Sequence, residues 1–148
     1  MIKDEVDFLS HIYVKEKFIN HLMRGGKKAR AISIFDKVIR KIQRDSGEDG
    51  MSVLIRGIDR VRPVLEIKSV RVGSSYYQVP VEISLQKQLS LATRWIVDSA
   101  RTRSGRGIID RITSEVIQAS HYQGNAYKKK LDIYRSAESN RMFAHFRW

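Results

Sequence analysis

The chain contains no cysteine. Disulfides, thiolate-held metals and thiol catalysis are therefore excluded. It has only two prolines, and no low-complexity tract divides it, so one domain over residues 1–148 is expected. No apolar run approaches the roughly 20 residues of a membrane-spanning helix. No internal repeat of solenoid period is present. Acidic residues are also in deficit: Asp and Glu total 16 against 28 Lys and Arg, a net charge of +12. The first twenty residues run the other way, with Lys3, Lys15 and Lys17 against Asp4, Glu5, Asp7 and Glu16. That acidic opening is unlike a signal peptide or an Arg-rich transit peptide. Either the protein is made where it works, or a presequence has been removed. The positive field belongs to the rest of the chain, and a globular domain this basic usually has a polyanionic partner.

Signs of catalysis are also lacking. His11, His21, His121 and His145 form no metal-binding pair, and the stretches G-S-S and R-S-G-R-G have neither Walker lysine spacing nor a nucleophile elbow. Asp110 and Glu115 stand beside arginines on one helix and read as ordinary surface pairing. No enzyme, cofactor or metal is expected.

What is present is mostly helical periodicity. VKEKFINHLM places Phe18, Ile19, Leu22 and Met23 at helical spacing and stops at Gly25-Gly26. A second helix buries Ile32, Phe35, Val38, Ile39 and Ile42, and a third buries Met51, Leu54, Ile55, Ile58 and Val61. Pro63 then forces an extended exit at Arg62. The period changes to two in LEIKSVRVGSSYYQVPVEI, which reads as strand, turn at Gly73-Ser74-Ser75, and strand. Pro80 suits an edge strand, so this is a two-stranded arm over about 64–83. Such an arm is marginal alone and needs support from outside the helical core. Ser84 can cap a fourth helix with Leu85, Leu89, Ala92, Trp95, Ile96 and Ser99 inward. A fifth presents Ile108, Ile112, Val116 and Ala119, and a sixth Tyr127, Leu131, Tyr134 and Ala137. The expected fold is mainly α: a bundle of six helices with one protruding β-hairpin between helices 3 and 4.

Four basic clusters stand out. The first is Arg24, Lys27, Lys28 and Arg30 at a helix start, where cations oppose the helix dipole and the dipole itself attracts phosphate. The second is Lys68 and Arg71 on the arm. The third is Lys87, Arg94 and Arg101, spaced by seven and continuing into Arg103 and Arg106. The fourth is Lys128, Lys129 and Lys130. Each alone is a solvated face; converged, they would track a phosphate backbone. In the arm, Tyr76 is expected to be exposed and Tyr77 to pack. Three classes fit these residues: an RNA-binding structural protein, a DNA-bending architectural protein with basic β-arms, and a helical module for acidic protein partners. The tip, Gly-Ser-Ser-Tyr, lacks the apolar wedge of a DNA bender, and the protein module leaves the arm unexplained.

VRVGSSYYQVPVEI closely resembles the hairpin signature of the small-subunit ribosomal protein S7 family, bacterial or organellar type, roughly R-x-V-G-G-x-x-Y-Q-V-P-x-E. FINHLMRGGKKARA, LATRWIVDSARTR and SAESNRMFAHFRW resemble, in order, its first helix and basic turn, its fourth helix and its ending. The resemblance implies a structural constituent of the small ribosomal subunit. Such a protein binds the 3′ major domain of the rRNA, nucleates assembly of the subunit head, and lies at the exit-site side of the mRNA and tRNA cleft. The neighbours it implies are head and platform proteins, with no membrane. It assigns rRNA contact to Lys27, Lys28, Arg71, Arg94, Arg101 and Arg103. Joined to the basic clusters, the expected rRNA set is Arg24, Lys27, Lys28, Arg30, Lys68, Arg71, Lys87, Arg94, Arg101, Arg103, Arg106, Lys128 and Lys129. The exit-site side would take Ser74, Ser75, Tyr76, Tyr77, Arg147 and Trp148. Three departures stand against the family pattern. The usual basic N-terminal extension is replaced by the acidic opening. Val70 and Ser74 replace a common arginine and glycine in the arm, which would make it less cationic and less sharply turned. DIYRSAESN lacks a usual histidine. These departures favour a mitochondrial or other organellar ribosome, with a bacterial cytoplasmic one as the alternative.

Overall fold

The computed structural model describes residues 2–146, with side chains described over 11–145. Six α-helices surround one apolar core: α1 Ile2–Leu22, α2 Lys28–Ser46, α3 Gly50–Val61, α4 Leu85–Thr102, α5 Ile108–Ser120 and α6 Asn125–Ser139. Strands β1 Leu65–Val72 and β2 Ser75–Glu82 form an antiparallel hairpin between α3 and α4, and a 3₁₀ helix covers Arg141–Phe146.

The breaks fall where local chemistry demands them. Gly25 and Gly26 take left-handed φ values of 60° and 73°, which turn the chain from α1 into α2 at no Cβ cost. Asp49 accepts the Ser52 backbone N–H at 3.1 Å and opens α3. Ser84 accepts the Lys87 N–H at 3.4 Å and opens α4. Arg62 leaves α3 extended, as the following proline requires.

α5 lies at the centre, packed on α2, α3, α4 and α6. Ile112, Val116 and Ala119 of α5 are fully buried with Phe18, Ile42, Leu54 and Ile96. Phe18 and Phe35 meet with ring centroids 5.6 Å apart. Three residues expected inward are instead exposed: Ile32 at 37%, Leu85 at 59% and Leu131 at 41%. Ala31 takes the inward place on α2, and Leu85 is the first residue of its helix. The contact face of α6 runs through the small residues Ala126 and Ala137, and Leu131 lies about 140° around the helix from Ala126 at 100° per residue.

The arm turns in two residues rather than three, because Ser75 pairs with Val72 and belongs to β2. Within the turn only Gly73 has a positive φ, 65°, the pattern of a type II′ hairpin turn. Serine at position 74 therefore carries no conformational penalty, and the expected loss of sharpness does not arise. Support for the arm comes from the end of the chain. Tyr77 packs on Phe143 with ring centroids 5.0 Å apart, and Val79 is fully buried. The Tyr134 hydroxyl accepts the Val64 N–H at 3.1 Å.

Candidate nucleic-acid interface

The α1–α2 turn exposes Arg24, Lys27, Lys28 and Arg30 together. Arg24, Lys27 and Arg30 rim a cleft of about 430 Å³ floored by Leu22, Met23 and Ile34. Lys27 stands at the N-cap of α2 without a capping side-chain bond; the Gly26 carbonyl takes the Lys28 N–H at 2.9 Å, which leaves the Ala29 and Arg30 amides to meet an anion.

α4 runs from the arm to this turn. At its start, Lys87 Nζ lies 2.6 Å from Glu66 Oε1 on β1, and Lys68 Nζ lies 3.8 Å from the same oxygen. Arg94, seven residues on, is exposed. Arg101, at the far end, donates to the His21 and Leu22 carbonyls at 3.1 and 3.2 Å, closing the C-terminus of α1. Burial and then the neighbouring Arg24 pull the Arg101 guanidinium below its ordinary value. Lys87, Arg94 and Arg101 span about 21 Å at 1.5 Å per residue and drift little around the helix, so they form one track from arm to turn.

Sequence periodicity missed two members of this track, Lys17 and His21. Burial lowers the His21 pKa first, and then Arg94, Lys17 and Arg101 do so against the opposing pull of Asp98. The readable signal was the i, i+4 spacing of Lys17 and His21 on α1, with Arg24 just past the end of that helix.

Other expected contacts lie elsewhere. Arg103 Nη1 donates to Glu115 Oε2 at 3.0 Å and to Gln118 Oε1 at 2.9 Å. Glu115 was expected at the surface, yet its side chain is fully buried. It is drawn inward because its other oxygen accepts the Ala126 N–H at 2.9 Å and caps α6. Arg106 rims a second cleft, about 710 Å³, between α2 and the start of α5. Lys37, Arg40, Lys41 and Arg44 line its other side. These four belong to none of the four basic clusters that stand out in the sequence. Lys41 is shared by Asp45 at 3.1 Å and Asp110 at 3.6 Å, whereas Lys37, Arg40 and Arg106 have no ion pair among the described residues. Lys128 and Lys129 stand on α6, apart from the track, and Lys130 turns in to donate to the Arg60 carbonyl at 3.0 Å.

At the arm tip, Ser74, Ser75 and Tyr76 are exposed, Tyr76 at 67%. Arg71 donates to the Gly73 carbonyl at 3.0 Å and lies 6.0 Å from the Tyr76 ring centroid. Tyr77 is half-buried against Phe143, so its ring is a support for the arm and not part of the exposed tip. Arg147 and Trp148 lie outside the described residues. No group of three or more metal-ligating side chains occurs among the described residues, and no described helix is long and apolar enough to cross a membrane.

Residues 2–141 match the family described as Ribosomal protein S7p/S5e. The small ribosomal subunit protein uS7 of a Nitratiruptor species is 47% identical over 136 residues, which cover 91% of this chain and 87% of that protein. Its counterpart in Treponema pallidum is 44% identical over 135 residues, covering 91% and 86%. In a Sulfurovum species the figures are 43% over 135 residues, covering 91% and 87%.

Proposed function

This chain belongs to the ribosomal protein S7p/S5e family, structural and non-enzymatic components of the ribosome, and from that premise we propose that it binds the 3′ major domain of small-subunit rRNA and nucleates the subunit head. The observation that carries this reading is the cationic track from Lys68 and Lys87 through Arg94 to Arg101, Arg24 and Lys27. A helix-borne track suits an RNA backbone read by shape and phosphate rather than by base edges. The arm tip, with Tyr76 free to stack, extends toward the exit-site side of the mRNA and tRNA cleft, and the arm base and 3₁₀ helix face a platform protein. Arg101 and Arg103 hold α4 to its neighbours and contact RNA less directly than Arg94. The α2–α5 cleft adds a second backbone contact through Lys37, Arg40, Arg44 and Arg106.

The organellar source favoured by the sequence is not supported. The relatives named above are bacterial, and a bacterial ribosome fits them. A few departures in the motifs and an acidic opening do not outweigh identity of 43–47% over about nine-tenths of the chain.

The test is competition binding near 200 mM salt, with labelled 3′-domain transcript challenged by excess duplex DNA and by unrelated structured RNA. The transcript should resist both. With about eight phosphates neutralised, affinity should fall about 10³–10⁵-fold between 50 and 200 mM salt. Equal displacement by duplex DNA would return the architectural DNA-binding class, despite the missing wedge.

A further inference from the structure

The α5–α6 corner carries an aromatic and cationic cluster that the track does not use. Tyr122 is the one non-glycine residue with positive φ among the described residues, at 58°. Its place explains the conformation. The His121 and Gln123 N–H groups both donate to the Gln118 carbonyl, at 3.0 and 2.8 Å, and the Tyr122 N–H donates to the Ala119 carbonyl at 3.1 Å. This is the left-handed position just past a helix end, where glycine or asparagine costs least. Tyrosine there is strained, and helix termination alone gives no reason for it. The residue is 58% exposed. Arg60 of α3 lies 4.5 Å from its centroid, and Tyr127 meets it edge-on at 5.8 Å. Lys130 then lies between Tyr127 and Tyr134, at 5.9 and 5.5 Å from their centroids.

We propose that this corner is a stacking platform for an unpaired RNA nucleotide, with the base on Tyr122 and the backbone drawn by Arg60 and the exposed Lys128. The inference rests on the rRNA-binding reading above. An aromatic face interleaved with cations is what single-stranded RNA segments use, because every base has a π-face and every linkage a charge. Arg60 at the ring and the exposed Lys128 select an anionic partner over a basic or neutral protein patch, and the exposed aromatic face beside them suits RNA.

The test uses the full chain and labelled 3′-domain transcript carrying 4-thiouridine at unpaired sites. Tyr122→Asn suits the left-handed position and should melt no lower than the parent, so lost binding could not be ascribed to unfolding. It should bind about 5- to 100-fold more weakly with an unchanged salt slope, since no phosphate contact is removed. Tyr122→Phe should bind like the parent, and photo-crosslinks should map to the Tyr122 segment. If Tyr122→Asn binds like the parent while Arg94→Ala is weakened, the platform is refuted and the rRNA reading stands. If neither substitution matters, the reading beneath it falls as well. Intact RNA affinity with lost association to a neighbouring ribosomal protein would assign the ring to protein contact and overturn the proposal.

Discussion

Glu115 holds two elements at once: one oxygen caps α6 through Ala126, the other anchors Arg103 in the α4–α5 loop. Its neighbourhood leaves no slack, since a Cβ on Gly124 would stand 2.9 Å from Glu115 Oε1. Glu115→Gln should keep the shape and remove the charge that Arg103 faces, destabilising the fold by about 3 kcal/mol. Urea denaturation with an unchanged midpoint would refute that. His21 presents the opposite case, a site where charge is unwelcome. Burial, Arg94, Lys17 and Arg101 lower its pKa from 6.5, with Asp98 opposing. The unfolded chain therefore binds the proton first as pH falls, and stability should decline from about pH 6.5 down to the lowered folded value. Bound phosphate would favour the imidazolium, so RNA affinity should rise across the same window. His21→Gln should flatten both curves, and a pH-independent affinity in the parent chain between pH 5 and 7 would contradict the placing of His21 beside the RNA.

At the scale of elements, the helices and the arm were readable because apolar periodicity and punctuation agree. Gly25-Gly26, Ser84 and Pro63 each mark a boundary that the structure observes. What local pattern did not carry was rotation: Ile32 and Leu131 fit a helical stripe, yet the packed stripe is set by small residues such as Ala31, Ala126 and Ala137 that let helices approach. The support of the arm was equally hidden, because it joins Tyr77 and Val64 to Phe143 and Tyr134, far along the chain. Phe143→Ala should therefore free the arm without melting the bundle. Amide exchange in β1 and β2 should quicken at least tenfold, while helical circular dichroism stays unchanged. Exchange that stays slow would mean the arm is held by the strand pair itself.

For the whole molecule, the sequence disclosed an excess of cations and four clusters of them, but not which clusters share a surface. Charge on a helix face says nothing of which neighbour lies beneath it, so Arg103, spent on a buried carboxylate, and Arg94, free at the surface, looked alike. Lys37, Arg40 and Arg44 were passed over because nothing local showed that the start of α5 lies opposite them. The result is two cationic surfaces at opposite ends of α2, since Lys28 and Arg44 are about 24 Å apart along a helix rising 1.5 Å per residue. A single folded rRNA that touches both must span that distance, whereas counterion attraction alone would let either surface act without the other. Arg94→Ala and Arg44→Ala should each reduce the slope of log affinity against log salt by about one, leave the melting temperature nearly unchanged, and add in the double variant. Isothermal binding to the 3′-domain transcript at several salt concentrations reads all three quantities. A double variant no worse than Arg94→Ala would mean that only the α4 track meets RNA, and that the α2–α5 cleft faces another neighbour in the subunit.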